Sequence, residues 1–483
     1  MHLTPYFIKS IIPICTTSIE HYTIDRQVNL HIMHINFLKQ DIEQRRNLIL
    51  NGPVSLTILL LSVPALMMGL IQSVIPVIDG LFLNNIAGTQ AASAVTYCTP
   101  IVNITTALSQ GLSVAGMAVI GQSNGKGDYE ASRRITTQIT VFTFLLGFVL
   151  APILAALAFP VSSHVNAEIS HDVFLYLALN ACVLPFLFME SVYNAIKNAY
   201  GKPEDTFVRM VIMLVLKIAF NALFVAVFKW GLIGSVMSSL ASNIIITVWM
   251  YYELFLKPDG DRLTLTSFKF DPKIIRNLLH IGFPAMLSSV MLNLGFFLIN
   301  NEVEKYGAIV LNGQGIANNI TSVCFIVPSS FGSAVTTMVS MNIGANQTEK
   351  AKKSCLAGCI ISAITAAALI ALIVPLSSRL TVLFTRDRDV LDIANNALHI
   401  YTYSVVGFGI CMIQQGAFIG LGRTRITLVI SILRVWLLRY VFILITEPSL
   451  GFYSVFWGNL FSNYMAALIT TILILRVKWI SEL

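Results

Sequence analysis

Twelve long apolar stretches, joined by short loops, constrain this chain more than any other feature. Crossing a bilayer takes about 20 apolar residues in a helix. Stretches of that kind run at 54–82, 93–121, 134–160, 172–196, 206–228, 232–256, 275–301, 311–342, 354–376, 389–418, 426–446 and 451–476. Only 11% of the 483 residues are charged and 56% are hydrophobic, where a soluble domain carries roughly 25% charged residues. So little charge cannot cover a water-facing surface, so lipid is the solvent for most of the chain. The expected fold class is an all-α integral membrane protein.

The two halves of the sequence rhyme at an offset of 220 residues. Pro64-Ala65 returns as Pro284-Ala285, Ser109 and Ser113 as Ser329 and Ser333, and Ala131 and Arg133 as Ala351 and Lys353. Gly231, Ser242 and Asn243 return as Gly451, Ser462 and Asn463. One offset shared across four helical regions predicts two pseudo-symmetric six-helix lobes, a common transporter plan with the substrate site between or within the halves. The expected organisation is an N-lobe over 47–256, a polar cytoplasmic linker over 257–274 and a C-lobe over 275–483. Residues 1–46 are mixed polar and apolar, lack a clean signal-peptide core, and include Met33 as a later start. They read as a flexible extension.

Charge in the loops gives an orientation. The loops after segments 2, 4, 6, 8 and 10 hold sixteen Lys and Arg, among them Lys126, Lys202, Lys257, Lys350 and Arg423; the opposite loops hold five. Both termini are therefore expected in the cytoplasm, with the chain a multi-pass protein of the plasma (inner) membrane. The net charge of +7 is dispersed over these loops as an orientation signal, which excludes a nucleic-acid partner. The seven cysteines are scattered without a CxxC, and the four N-terminal histidines lack ligand spacing. No metal site and no cofactor are expected. The loops contain no HExxH, no GxSxG and no Asp-rich motif, so no catalytic set is expected either. The run Arg386-Asp387-Arg388-Asp389 reads as a solvated loop.

The first segment carries Pro64 and Pro76, each of which removes a backbone hydrogen bond and favours a kink. Together they predict a bendable first helix. Met67, Met68, Met189, Phe186, Phe296 and Phe297 suit either ordinary packing or a tolerant apolar pocket.

Several motifs resemble one family. Asn51-Gly52-Pro53, Ser62-Val63-Pro64, Gln72 and Ile78-Asp79-Gly80 resemble the first helix of the multidrug and toxic compound extrusion (MATE) transporters. Gly121-Gln122-Ser123-Asn124-Gly125-Lys126-Gly127 is similar to that family's loop after helix 2. Tyr193-Asn194-Ala195-Ile196-Lys197-Asn198-Ala199-Tyr200-Gly201-Lys202-Pro203 is similar to its end of helix 4, and Gly420-Leu421-Gly422-Arg423-Thr424 to the C-lobe echo. The likeness covers about 47–480 and looks closest to the prokaryotic DinF-like branch. It implies a V-shaped, two-lobe, twelve-helix antiporter that exports amphipathic, often cationic drugs or metabolites in exchange for H⁺ or Na⁺. It also implies an N-lobe ion site at Asp79, Asn194, Lys217 and Asn221. The branch usually carries Asn where Lys217 stands and Asp where Asn221 stands. The position 220 after Asp79 is Ile299, and segment 7 has Asn293 but no acid before Glu302. These departures argue against sodium coupling through the family's usual carboxylates and favour H⁺.

Ionisable groups at membrane depth are expensive, and usually face a cavity or a partner. Asp79, Glu190, Lys217 and Arg434 are the candidates. Glu190 and Lys217 lie equally far from the turn at Lys202-Pro203, about 13–14 residues along antiparallel helices, so the spacing predicts an ion pair between them. With Asp79 nearby, the cluster would carry a net charge of −1, which suits a site alternating between a proton and an organic cation. Arg434 reads as satisfying carbonyls or reaching the interface. The expected partners are a small-molecule cargo and the bilayer, and one chain with both lobes suffices as a monomer. The alternative is a flippase for lipid-linked saccharides or another lipid of the same superfamily, which would call for a strongly cationic cavity.

Overall fold

The computed structural model describes residues 41–480 apart from 83–88, 164, 166, 258–261, 266–267 and 385–386. Among them run twelve helices long and apolar enough to cross a membrane. The first six are α1 (Val54–Phe82), α2 (Thr89–Lys126), α3 (Tyr129–Ser163), α4 (Ala167–Ala199), α5 (Pro203–Val227) and α6 (Gly231–Leu256). The second six are α7 (Pro272–Glu304), α8 (Ala308–Gly344), α9 (Thr348–Val382), α10 (Arg388–Gly420), α11 (Thr424–Leu450) and α12 (Tyr453–Arg476). Every segment expected from the sequence is a helix. Most run several residues past the apolar stretch, because polar turns continue a helix beyond the hydrocarbon.

Short turns fix where helices stop. Gly201 (φ 72°) follows α4 and Gly422 (φ 82°) follows α10, so a left-handed residue ends the corresponding helix in each half. Pro203 then opens α5, where its missing N–H costs nothing. Asp271 caps α7, its carboxylate accepting from the Lys273 amide at 2.9 Å with Pro272 behind it. Asp387 likewise accepts from the Asp389 amide at 3.0 Å. The charged run at 387–389 is thus the cap and first turn of α10 where a solvated loop was expected; Arg386 lies outside the described residues.

Residues 1–40 of the expected extension also lie outside the described residues. A short helix, Ile42–Asn51, precedes α1 and buries Ile42, Arg45, Ile49 and Leu50. Of the expected linker, Leu263 is buried and its amide donates to the Leu254 carbonyl at 2.9 Å. Arg134 pairs with Asp271 at 2.7 Å, tying α3 to the start of α7.

The halves approach closely where α2 meets α8. A Cβ at Gly125 would stand 2.1 Å from the Met341 carbonyl oxygen, and one at Gly344 would stand 2.0 Å from that of Gln122, so only glycine allows the crossing. Hydrogen bonds seal the same end. Gln122 donates to the Gly420 carbonyl at 2.8 Å, and Thr337 to that of Asn198 at 3.0 Å. Lys350 donates to the carbonyls of Leu50 and Gly52 at 2.6 and 2.9 Å. The chain is therefore shut at the end that carries Lys126, Lys350 and Arg423. α1 packs against α5 within its own half and against α8 across the divide.

Candidate functional site

The last turns of α1 and the middle of α5 build one polar site. Lys217 lies fourteen residues into α5, about 21 Å along the axis at 1.5 Å per residue, so its ammonium cannot easily reach an aqueous interface. It pairs instead with Asp79, Nζ to Oδ2 at 2.7 Å. Asn221, one helical turn on and on the same face, donates from Nδ2 to Asp79 Oδ1 at 2.8 Å. Both carboxylate oxygens are thus engaged by neighbouring positions of one helix. Lys217 and Asn221 are buried, while the Asp79 side chain is 22% exposed and so remains within reach of water. Ser238 of α6 donates to the Lys217 carbonyl at 3.2 Å.

Two site oxygens have no donor. Oδ1 of Asn194 and Oδ1 of Asn221 are buried without a hydrogen-bond partner. Among the described residues no hydrogen bond joins Asn194 to Asp79. Of the expected set, then, Asp79, Lys217 and Asn221 form one hydrogen-bonded group, and Asn194 stands apart from it.

The expected Glu190–Lys217 pair does not form. Glu190 accepts from Arg209 of α5 at 2.7 Å, and Lys217 turns to α1. Equal distance from a hairpin turn sets depth but not direction. The face of α5 that carries Lys217 and Asn221 packs on α1, and the long Arg209 side chain reaches Glu190 from nearer the turn. The cluster around Asp79 is consequently a neutral pair, and the net −1 expected from including Glu190 is not there.

A second polar cluster closes the basic end of the N-terminal half. Lys197 bridges Asp205 at 2.8 Å and Glu253, and lies over the Tyr193 ring at 5.4 Å. The Tyr193 hydroxyl donates to Glu253 at 2.5 Å, and Arg45 pairs with Glu204. Burial pulls the Arg45 guanidinium below its ordinary pKa, while Glu204 and Asp205 push it back up. Sequence reasoning missed this cluster; the signal was the set of charges at the ends of segments 4, 5 and 6, which spacing alone could not join. Pro64 lies within an unbroken α1, and the Pro76 side chain lies outside the described residues.

The remaining candidates scatter. Met189 is buried in the packing of α4, whereas Met67, Phe296 and Phe297 are exposed. Arg434 of α11 is buried, and its Nε has no hydrogen-bond partner; the expectation that it satisfies carbonyls is not met.

Twelve long apolar helices in two related halves, with an ion pair held at membrane depth, define a multi-pass membrane protein of the two-lobe carrier class. Comparison with known families makes that specific. The sequence matches the MatE family over residues 64–223 and again over 284–445, and the chain belongs to that family. It is 26% identical over 390 residues to "Probable multidrug resistance protein YoeA" of Bacillus subtilis, covering 77% of this chain and 83% of that one. It is 19% identical over 435 residues to "Multidrug export protein MepA" of Staphylococcus aureus, covering 88% and 95%. Among solved structures it is similar in fold to a MATE transporter in complex with MaL6, with a TM-score of 0.83 and 22% identity over 88% of this chain and 96% of that one. An outward-facing multidrug resistance MATE family transporter of the MOP superfamily gives a TM-score of 0.81 at 21% identity, with the same coverage.

Proposed function

We propose that the chain is a secondary antiporter that exports amphipathic, often cationic drugs or metabolites in exchange for protons, by alternating access of its two halves. The observation that carries this is the Asp79–Lys217–Asn221 group. A proton arriving at Asp79 neutralises it, leaves Lys217 without its counter-ion and frees the end of α1 from α5. Pro64 gives α1 a point at which to bend, and the α2–α8 seal is what must then open. Lys217 also supports H⁺ over Na⁺, because its ammonium already fills the cation position beside Oδ2 of Asp79, while the Asn221 amide holds Oδ1. The placement expected is the plasma membrane with both termini in the cytoplasm, which makes the shut end cytoplasmic and the described state open outward. One chain with both halves suffices as a monomer, and no covalent step is involved.

The test is efflux of a fluorescent organic cation from proteoliposomes under a pH gradient or a sodium gradient, for the native chain and Asp79→Asn. Efflux driven by pH and lost in the variant supports the assignment. Efflux driven by sodium alone removes it and moves attention to the unpartnered oxygens of Asn194 and Asn221. The flippase alternative draws on one observation, the buried cations of α11.

A further inference from the structure

Arg434 and Arg439 lie inside α11, 6% and 7% exposed. Neither forms an ion pair with a described residue, and the Nε of each is buried without a hydrogen-bond partner. Arg434 stands over the Phe408 ring at 5.2 Å and Arg439 over Phe296 at 5.8 Å. Tyr401, wholly buried on α10, lies beside Arg439. Charges at membrane depth pair with one another or face a cavity; these two have aromatic rings and no acid.

The winding of α11 brings them together. An α-helix turns about 100° per residue, which would set residues five apart about 140° round the axis. From Leu433 to Tyr440 the helix runs with i→i+5 winding, which brings residues five apart back to one side, and such turns recur at functional sites.

The internal duplication supplies an independent argument. The two matched segments begin 220 residues apart and end 222 apart. At the offset of 220 Asp79 corresponds to Ile299, and over offsets of 220 to 222 Lys217 corresponds to the stretch 437–439, which ends in Arg439. Ile299 is 1% exposed and packs in the apolar cluster of Tyr401, Val435 and Trp436. The C-terminal half thus has a cation within two residues of the position of Lys217, and an isoleucine stands where the acid would be.

We propose that Arg434 and Arg439 form a fork that receives an acidic group (a carboxylate, sulfonate or phosphate) on the amphiphile this carrier moves, with Phe296 and Phe408 flanking its apolar body. This rests on the transport reading above and extends its cargo to amphiphiles that include an acid, zwitterions among them. Guanidinium forks suit planar oxyanions, and an oxyanion would meet the two Nε–H groups that lack a partner.

The test uses the full chain in phosphatidylcholine nanodiscs and three probes with one apolar body: phenylbutyrate, phenylbutanol and phenylbutylammonium. Binding is read by equilibrium dialysis without any gradient, so the result does not depend on which ion drives transport. Phenylbutyrate should bind about tenfold tighter than the alcohol, the value of one charge-assisted hydrogen bond, and the ammonium weakest. Arg434→Gln with Arg439→Gln should erase the preference, and the two Lys substitutions should keep part of it. Ile299→Asp, which retains both guanidinium groups but supplies the absent acid, should also erase it, and separates anion recognition from any folding defect of the Gln variants. Equal binding of the three probes, or a preference that survives Arg434→Gln with Arg439→Gln, overturns the proposal. Loss of phenylbutyrate binding when phosphatidylglycerol is added assigns the fork to a lipid headgroup and overturns it as a cargo site.

Discussion

Removing the Asp79 carboxylate should destabilise the folded chain by about 2–4 kcal/mol, and removing Lys217 as well should restore most of that loss. Breaking a buried pair by deleting one partner costs about 3–5 kcal/mol, because the survivor is left charged and unpaired. One feature of this site trims the figure. Asp79 is 22% exposed on its side chain, so some water reaches the ammonium of Lys217 after truncation. Asn221 loses its acceptor in the same step, adding about 1 kcal/mol. In the double variant Asp79→Ala with Lys217→Met, no charge remains to be compensated. The measurement is reversible SDS unfolding of the full chain in mixed micelles, for all four corners of the cycle. A coupling energy of about 1.5 kcal/mol or more is expected. A value below about 0.5 kcal/mol, typical of solvated surface pairs, would falsify the buried-pair account and with it the physical basis of the coupling site.

Further outcomes follow from the other contacts. Glu190→Gln should cost about 3 kcal/mol in the same unfolding assay, because Arg209, 0% exposed on its side chain, loses its carboxylate; Arg209→Met should rescue it, and no rescue would show that the pair is not the cause. Glu253→Gln should cost only about 1 kcal/mol, since Lys197 keeps Asp205 at 2.8 Å and an amide still accepts from Tyr193. Gly344→Val, whose Cβ alone would meet the Gln122 carbonyl, should hold the α2–α8 end open and make Gln122→Cys label faster from its side; unchanged labelling would refute the crossing.

The helices were legible because membrane depth writes itself into composition: each apolar stretch became a helix, and the repeat fixed their pairing into halves. The depth of Lys217 was legible too, from its distance to the turn at Pro203. Its partner was not. Depth is a one-dimensional coordinate, and Glu190, Asp79 and Arg209 all compete along it, so the choice depends on which face of α5 meets α1. Arg209 read as a loop cation because it lies only a few residues past the turn, yet its side chain is 0% exposed. The i→i+5 winding of Leu433–Tyr440 left no signal in residue type, and without it Arg434 and Arg439 fall on different faces of the helix drawn from the sequence.

The two halves therefore share a fold and differ in charge. In the first, Lys217 and Asp79 cancel, leaving a group whose charge state changes only when a proton arrives; that suits the driving ion. In the second, Ile299 takes the place of the acid and Arg439 and Arg434 are left positive, so its interior changes charge only when an anion arrives; that suits the cargo. Dividing the two tasks between the halves avoids direct competition for one carboxylate, so proton and cargo can be coupled only through the movement of the helices.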